Sequence, residues 1–174
     1  MLEAIKKRRA CRSFDINKEI EQSKIDEIVQ AGLLAPSGMN RQTSEIIVVK
    51  NREFRDKLMK INRDCAGGRF PANMDPFYGA PVVLLVVANK NGLSVLDGAA
   101  TIENMLLEAT NQGLASIWIH RADEEIKTKE ARELLSFTGL DFDEYIGIGH
   151  VAIGYPKDFK YPEKLIRENR VHMK

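Results

Sequence analysis

Between residues 95 and 112, apolar side chains return every three or four positions. Val95, Ala99, Ile102, Leu106 and Ala109 form one stripe, Leu96 and Met105 widen it, and Gly113 follows as a stop. The spacing predicts a helix over 95–112, the strongest in the chain. Around it the pattern switches period. The run PVVLLVVA at 81–88 is continuously apolar, which predicts a central strand at 82–88 covered on both faces. Residues 1–9 read as a short helix with Leu2 and Ile5 on one face. A second helix is expected over 23–34, opened by a capping box at Ser23 and Asp26 and stopped by Ala35-Pro36-Ser37-Gly38. EIIVVK at 45–50 reads as a strand, and Asn51 caps a helix reaching residue 62. Strands are expected at 114–120 and 145–155, with a helix over 123–136 between them. Residues 65–79, CAGGRFPANMDPFYG, form a long irregular loop, and 156–174 carry six Lys and Arg but no core pattern. There is no repeat, low-complexity tract or linker, so the expectation is one α+β domain over residues 1–174.

Composition narrows the functional classes. The chain has 174 residues, 44% hydrophobic and 29% charged, enough for a substantial core. Lys and Arg number 26 against 25 Asp and Glu, a net charge of +1, which gives little support to nucleic-acid binding. The apolar run at 81–88 is too short to span a bilayer, so no membrane partner is expected. No apolar leader follows the charged first turn. Cys11 and Cys65 have neither disulfide-framework numbers nor metal-ligand spacing. A cytoplasmic protein with reduced thiols and no metal is expected.

Gly147, Gly149 and Ala152 fit G-x-G-x-x-A, but Tyr155-Pro156 follows where a dinucleotide fold needs a helix. Glycines in a closely packed strand explain them better. His120, His150 and His172 lack ligand spacing, and Ser37-Gly38 is not a nucleophile elbow. More telling is KKRRACR at 6–12, five cations in seven positions. Consecutive cations on a helix point around most of its circumference and cannot serve one flat polymer surface. Arg9 and Arg12, with small Ala10 and Cys11 between them, suit one compact phosphate; a solvated basic face is the competing reading.

RRACRSF, LAPSGMNRQ, GLASIWIHRA, GIGHVAIGYP and IRENRV, in this order and spacing, resemble the flavin-dependent nitroreductase family. The resemblance covers residues 5 to 171. It implies an α+β fold with a central, mixed but mostly antiparallel sheet flanked by helices, in an intertwined homodimer that binds FMN at the subunit interface. Carried over, Arg8, Arg9 and Ala10 line the phosphate and ribityl chain, and Arg12 lies near N1 and O2 of the ring. Pro36, Ser37, Gly38, Asn40 and Gln42 reach the flavin of the partner subunit. Thr43-Ser44-Glu45 stand where relatives often have Pro-Trp or Ser-Trp, which changes the outer wall. Trp118, Ile119, His120 and Arg121 pass the ring near N5, and Arg167, with Lys164, adds cations at the phosphate; Ile166 replaces a second basic residue common in relatives. The implied activity is hydride transfer from NADH or NADPH through flavin N5 to nitroaromatics, quinones or similar planar acceptors, in ping-pong order, with no side chain as nucleophile or base. The alternative is a specialised flavoenzyme of the same fold, a reductive dehalogenase or flavin-consuming enzyme, for which the 65–79 loop would supply a lid. A noncatalytic phosphate-binding module rests on KKRRACR alone.

Overall fold

The computed structural model describes residues 1–90, 92–158 and 160–174. Its elements, in chain order, are α1 (Glu3–Lys7), α2 (Gln22–Leu33), β1 (Ser44–Val49), α3 (Arg52–Asp64), β2 (Val82–Asn89), α4 (Ser94–Asn111), β3 (Ala115–Ile119), α5 (Ala122–Ile126), α6 (Lys129–Leu134) and β4 (Tyr145–Gly154). The four strands form one sheet in the order β1-β2-β4-β3. All three ladders are antiparallel, and the parallel component is a lone bridge between Ala10 and Ser116.

The continuous apolar run is explained by its place. β2 lies between β1 and β4, and each face is covered. Val83, Leu85 and Val87 pack with Leu58 of α3, Phe77, Ile117 and Phe142. Val82, Leu84, Val86 and Ala88 pack with Ile25 and Ile28 of α2 and with Ile102, Met105 and Leu106 of α4. Burial on both faces, which removes the alternation, arises here in an antiparallel sheet.

The glycines of β4 carry no ligand turn. Val86 pairs with Gly149 and Val87 with Gly147, so Ile148 is the extra residue of a bulge. A Cβ on Gly147 would lie 2.2 Å from the Ala122 carbonyl carbon, and one on Gly149 would lie 2.2 Å from Trp118 Nε1. The bulged Ile148 itself presses on Gly98 of α4, where a Cβ would meet its Cγ1 at 2.5 Å.

Three local expectations are corrected. The helix expected over 123–136 is two, because the Thr128 hydroxyl accepts the Ala131 N–H at 3.1 Å and starts α6 afresh. The second helix begins at Gln22 behind Glu21, with no side-chain cap. Asp26 accepts instead from the Gln22 amide at 2.8 Å, so the expected capping box does not form. On α4, Ile102, Met105, Leu106 and Ala109 are buried as the stripe predicts, but Val95 and Leu96 are 56% and 67% exposed. Asp97 and Gly98 take the inward positions of that turn.

Candidate functional site

The N-terminal cations sit where the chain leaves α1 and runs beside β3. Arg8 caps the C-terminus of α1. Ala10 then bridges to Ser116, and the Cys11 N–H donates to the Ser116 carbonyl at 3.0 Å. Arg9 Nη1 donates to the carbonyls of Lys6 and Arg8, both at 2.8 Å, while its Nε donates to Pro162 of the C-terminal segment at 3.1 Å. Arg8 Nε lies 3.8 Å from Glu103 of α4. Lys7, Arg8, Arg9, Thr110, Ser116 and Tyr161 line a cavity of about 340 Å³. Burial pushes the Tyr161 phenol up, so it is neutral at physiological pH and does not offset the cations. Ser116 is 1% exposed, and its hydroxyl has no hydrogen-bond partner among the described residues. A buried, unpaired hydroxyl beside three cations fits the phosphate and ribityl end of FMN, which would satisfy both. Arg12 is exposed, as are Lys164 and Arg167, and none of the three makes a hydrogen bond or ion pair among the described residues.

The second cluster is the loop after α2. Ser37 Oγ accepts the Gln42 N–H at 2.8 Å, and the Gln42 side chain donates to Asn40 Oδ1 at 3.3 Å. Met39, Asn40 and Gln42 all have left-handed φ, at 56°, 54° and 50°. Such strain on non-glycine residues needs an anchor. Asp97 supplies it from the first turn of α4: one carboxylate oxygen accepts the Gly38 N–H at 2.9 Å and the other accepts the Thr43 hydroxyl at 3.0 Å. Asp97 is 7% exposed. The sequence reading missed it, although an acid inside the most apolar helix was a usable signal. Pro36, Ser37, Gln42, Ser44 and Thr101 line a cavity of about 280 Å³, and the Ser44 hydroxyl is a second buried, unpaired oxygen.

The third cluster is the end of β3. Trp118 is 40% exposed, Ile119 is buried and His120 is exposed. Arg121 has φ 76°, in the left-handed region. Its guanidinium donates to Asn62 Oδ1 at 2.8 Å and stacks 4.7 Å from the Phe70 ring centroid. The loop carrying Phe70 is pinned at its other end by Arg55, which pairs with Asp75 and donates to the Ala80 carbonyl at 3.1 Å.

Within one chain the first two clusters do not meet. Their cavities include Thr110 and Thr101 respectively, nine residues apart on α4, or ~14 Å at 1.5 Å per residue.

Known proteins resemble this chain in sequence and fold. A protein of Methanothermobacter thermautotrophicus, provisionally named NADH dehydrogenase/NAD(P)H nitroreductase, is 27% identical over 99% of this chain and 86% of its own length. One of the same provisional name from Archaeoglobus fulgidus is 31% identical over 91% of this chain and 87% of its own. A crystal structure of a nitroreductase with bound FMN from Bacteroides fragilis superposes with a TM-score of 0.89 at 29% identity, covering 98% and 96% of the two chains. The Nitroreductase family profile matches residues 5–155. With this match over most of its length and a fold that superposes on that structure, the chain belongs to the nitroreductase family.

Proposed function

We propose that this protein is an FMN-dependent oxidoreductase that takes hydride from NADH or NADPH and passes electrons to nitroaromatics, quinones or related planar acceptors. The reading makes it a cytoplasmic homodimer of chains that each form one FMN-binding domain over residues 1–174. The observation that carries it is the buried, unpaired Ser116 hydroxyl in a cavity edged by Lys7, Arg8 and Arg9. Relatives described as NAD(P)H nitroreductases, and a neighbour holding FMN, support the same cofactor and donor.

In this reading Arg8, Arg9 and Ala10 bind the phosphate and ribityl chain, and Arg167 and Lys164 close over the phosphate. Arg12 places a cation at the N1–O2 edge, where negative charge gathers on reduction. When bound, FMN supplies hydride acceptance at N5 and electron donation from the same position. The side chains need only hold reactants at about 3–3.5 Å and keep the ring's electrostatics fixed. Trp118, Ile119, His120 and Arg121 form the wall near N5. Pro36, Ser37, Gly38, Asn40 and Gln42 complete the site of the other subunit, which accords with their separation from the cations along α4. Exposed Val95 and Leu96, together with Leu165 and Ile166 in the tail (87% and 75% exposed), supply apolar surface for that partner.

The cofactor is tested by heating the purified protein and chromatographing the released flavin. FMN is expected; FAD would contradict the single-phosphate site. Steady-state kinetics with NAD(P)H and a quinone should give parallel double-reciprocal lines, since both substrates use one site in turn. Intersecting lines would contradict alternation.

A further inference from the structure

Beneath the β3 end lies a polar network with no role in the chemistry above. Asn62, Glu125 and His150 are each 0% exposed. His150 Nε2 and Glu125 Oε2 share a hydrogen bond at 3.0 Å, and the other carboxyl oxygen accepts from the Asn62 amide. That same Asn62 amide donates to the His120 carbonyl at 3.0 Å, while Asn62 Oδ1 accepts from Arg121 Nη2 at 2.8 Å and the Asn62 carbonyl accepts from Arg121 Nε at 3.2 Å. One buried side chain thus holds a backbone group of residue 120 and, with its own carbonyl, the side chain of residue 121.

What it holds is strained. Arg121 adopts φ 76° without being glycine, a conformation that persists only where the surroundings over-determine it. Asn62 below and Phe70 above supply that constraint. Glu125 and His150 in turn fix Asn62, so α3, α5 and β4 are all tied to one peptide.

We infer that Asn62, fixed by Glu125, is the positioning residue of this enzyme: it holds the His120–Arg121 peptide in the left-handed turn that presents it to flavin N5. The inference rests on the proposed reading for the place of the flavin, but the clamp itself is this chain's own. It makes a specific demand on residue 121. Glycine can hold a positive φ unaided, whereas alanine can neither do so cheaply nor reach Asn62.

The test uses the purified FMN-loaded protein and four variants: Asn62→Leu, Arg121→Ala, Arg121→Gly and Asn62→Leu/Arg121→Gly. It reads the rate of flavin reduction by NADH per bound flavin, the flavin midpoint potential and the amide exchange of residues 119–122. Asn62→Leu should slow reduction on the order of tenfold, shift the potential and speed local exchange. Arg121→Ala should do the same. Arg121→Gly should be several-fold faster than Arg121→Ala, and adding it to Asn62→Leu should recover most of the loss. A merely structural Asn62 would lower thermal stability but leave rate, potential and exchange at wild-type values, which overturns the inference. Glycine no better than alanine at 121 overturns it too, and that pair decides the matter if Asn62→Leu fails to fold. A wild-type protein that takes up no FMN contradicts the enzyme reading instead, and is seen before any variant is made.

Discussion

Ser116 separates binding from stability more cleanly than any other residue of the site. Its buried hydroxyl is unpaired among the described residues, so Ser116→Ala removes a desolvated group that the fold does not use. Thermal unfolding of the FMN-free variant should be unchanged or slightly raised, while FMN affinity falls by about 0.5–1.5 kcal/mol, the net worth of one hydrogen bond. Equal losses in both would mean that the hydroxyl serves the fold. Arg12 behaves differently, because it is exposed and makes no hydrogen bond or ion pair among the described residues. Arg12→Ala should leave stability alone, weaken FMN and lower the potential of the flavin that remains, measured by redox titration against a reference dye.

At the scale of elements, α3 carries two checkable contributions. Asn51 Oδ1 accepts the Phe54 N–H at 2.9 Å, and Asn51→Ala should cost about 1 kcal/mol in urea unfolding. Burial raises the Asp56 carboxyl, but hydrogen bonds and charge from Arg52 and Arg55 outweigh it and hold the group below its usual range. A pKa depressed in the folded state gives stability that is present above the unfolded value and lost as pH falls through the folded one. Acid unfolding below about pH 4 should therefore flatten in Asp56→Asn. The Asn51 cap and the β2 run were legible because each is a local signal: a side chain facing its own backbone, or a strand whose neighbours cover both faces. The split at Thr128 and the start of α2 at Gln22 were not, since a hydroxyl or amide chooses among several backbone partners only once tertiary contacts exist. In the proposed site, the cations and the 36–42 loop were singled out by resemblance. Their anchor Asp97 and the Asn62 clamp could not, because contacts 59 and 58 residues apart leave no spacing to read.

For the whole molecule, the proposed reading, in which the two clusters separated along α4 belong to pockets shared between two subunits, makes FMN binding and dimerisation one equilibrium. Flavin in hundredfold excess over Kd should stabilise the dimer by ~2.7 kcal/mol. Mixing an Arg12→Ala chain with an Asn40→Ala chain gives heterodimers in which one site carries both lesions and the other none. One site of wild-type affinity per heterodimer is the expected count; uniformly weakened sites would contradict shared pockets.

The central claim, a flavin reduced by a nicotinamide at this site, is tested most directly by anaerobic titration of the purified protein with NADH and then NADPH, followed in the visible spectrum. The expected result is a yellow protein whose flavin band bleaches at one equivalent of at least one donor per FMN. The band should return when a quinone is added. A colourless protein that cannot be loaded with FMN, or a flavin band that neither nicotinamide bleaches, would contradict it.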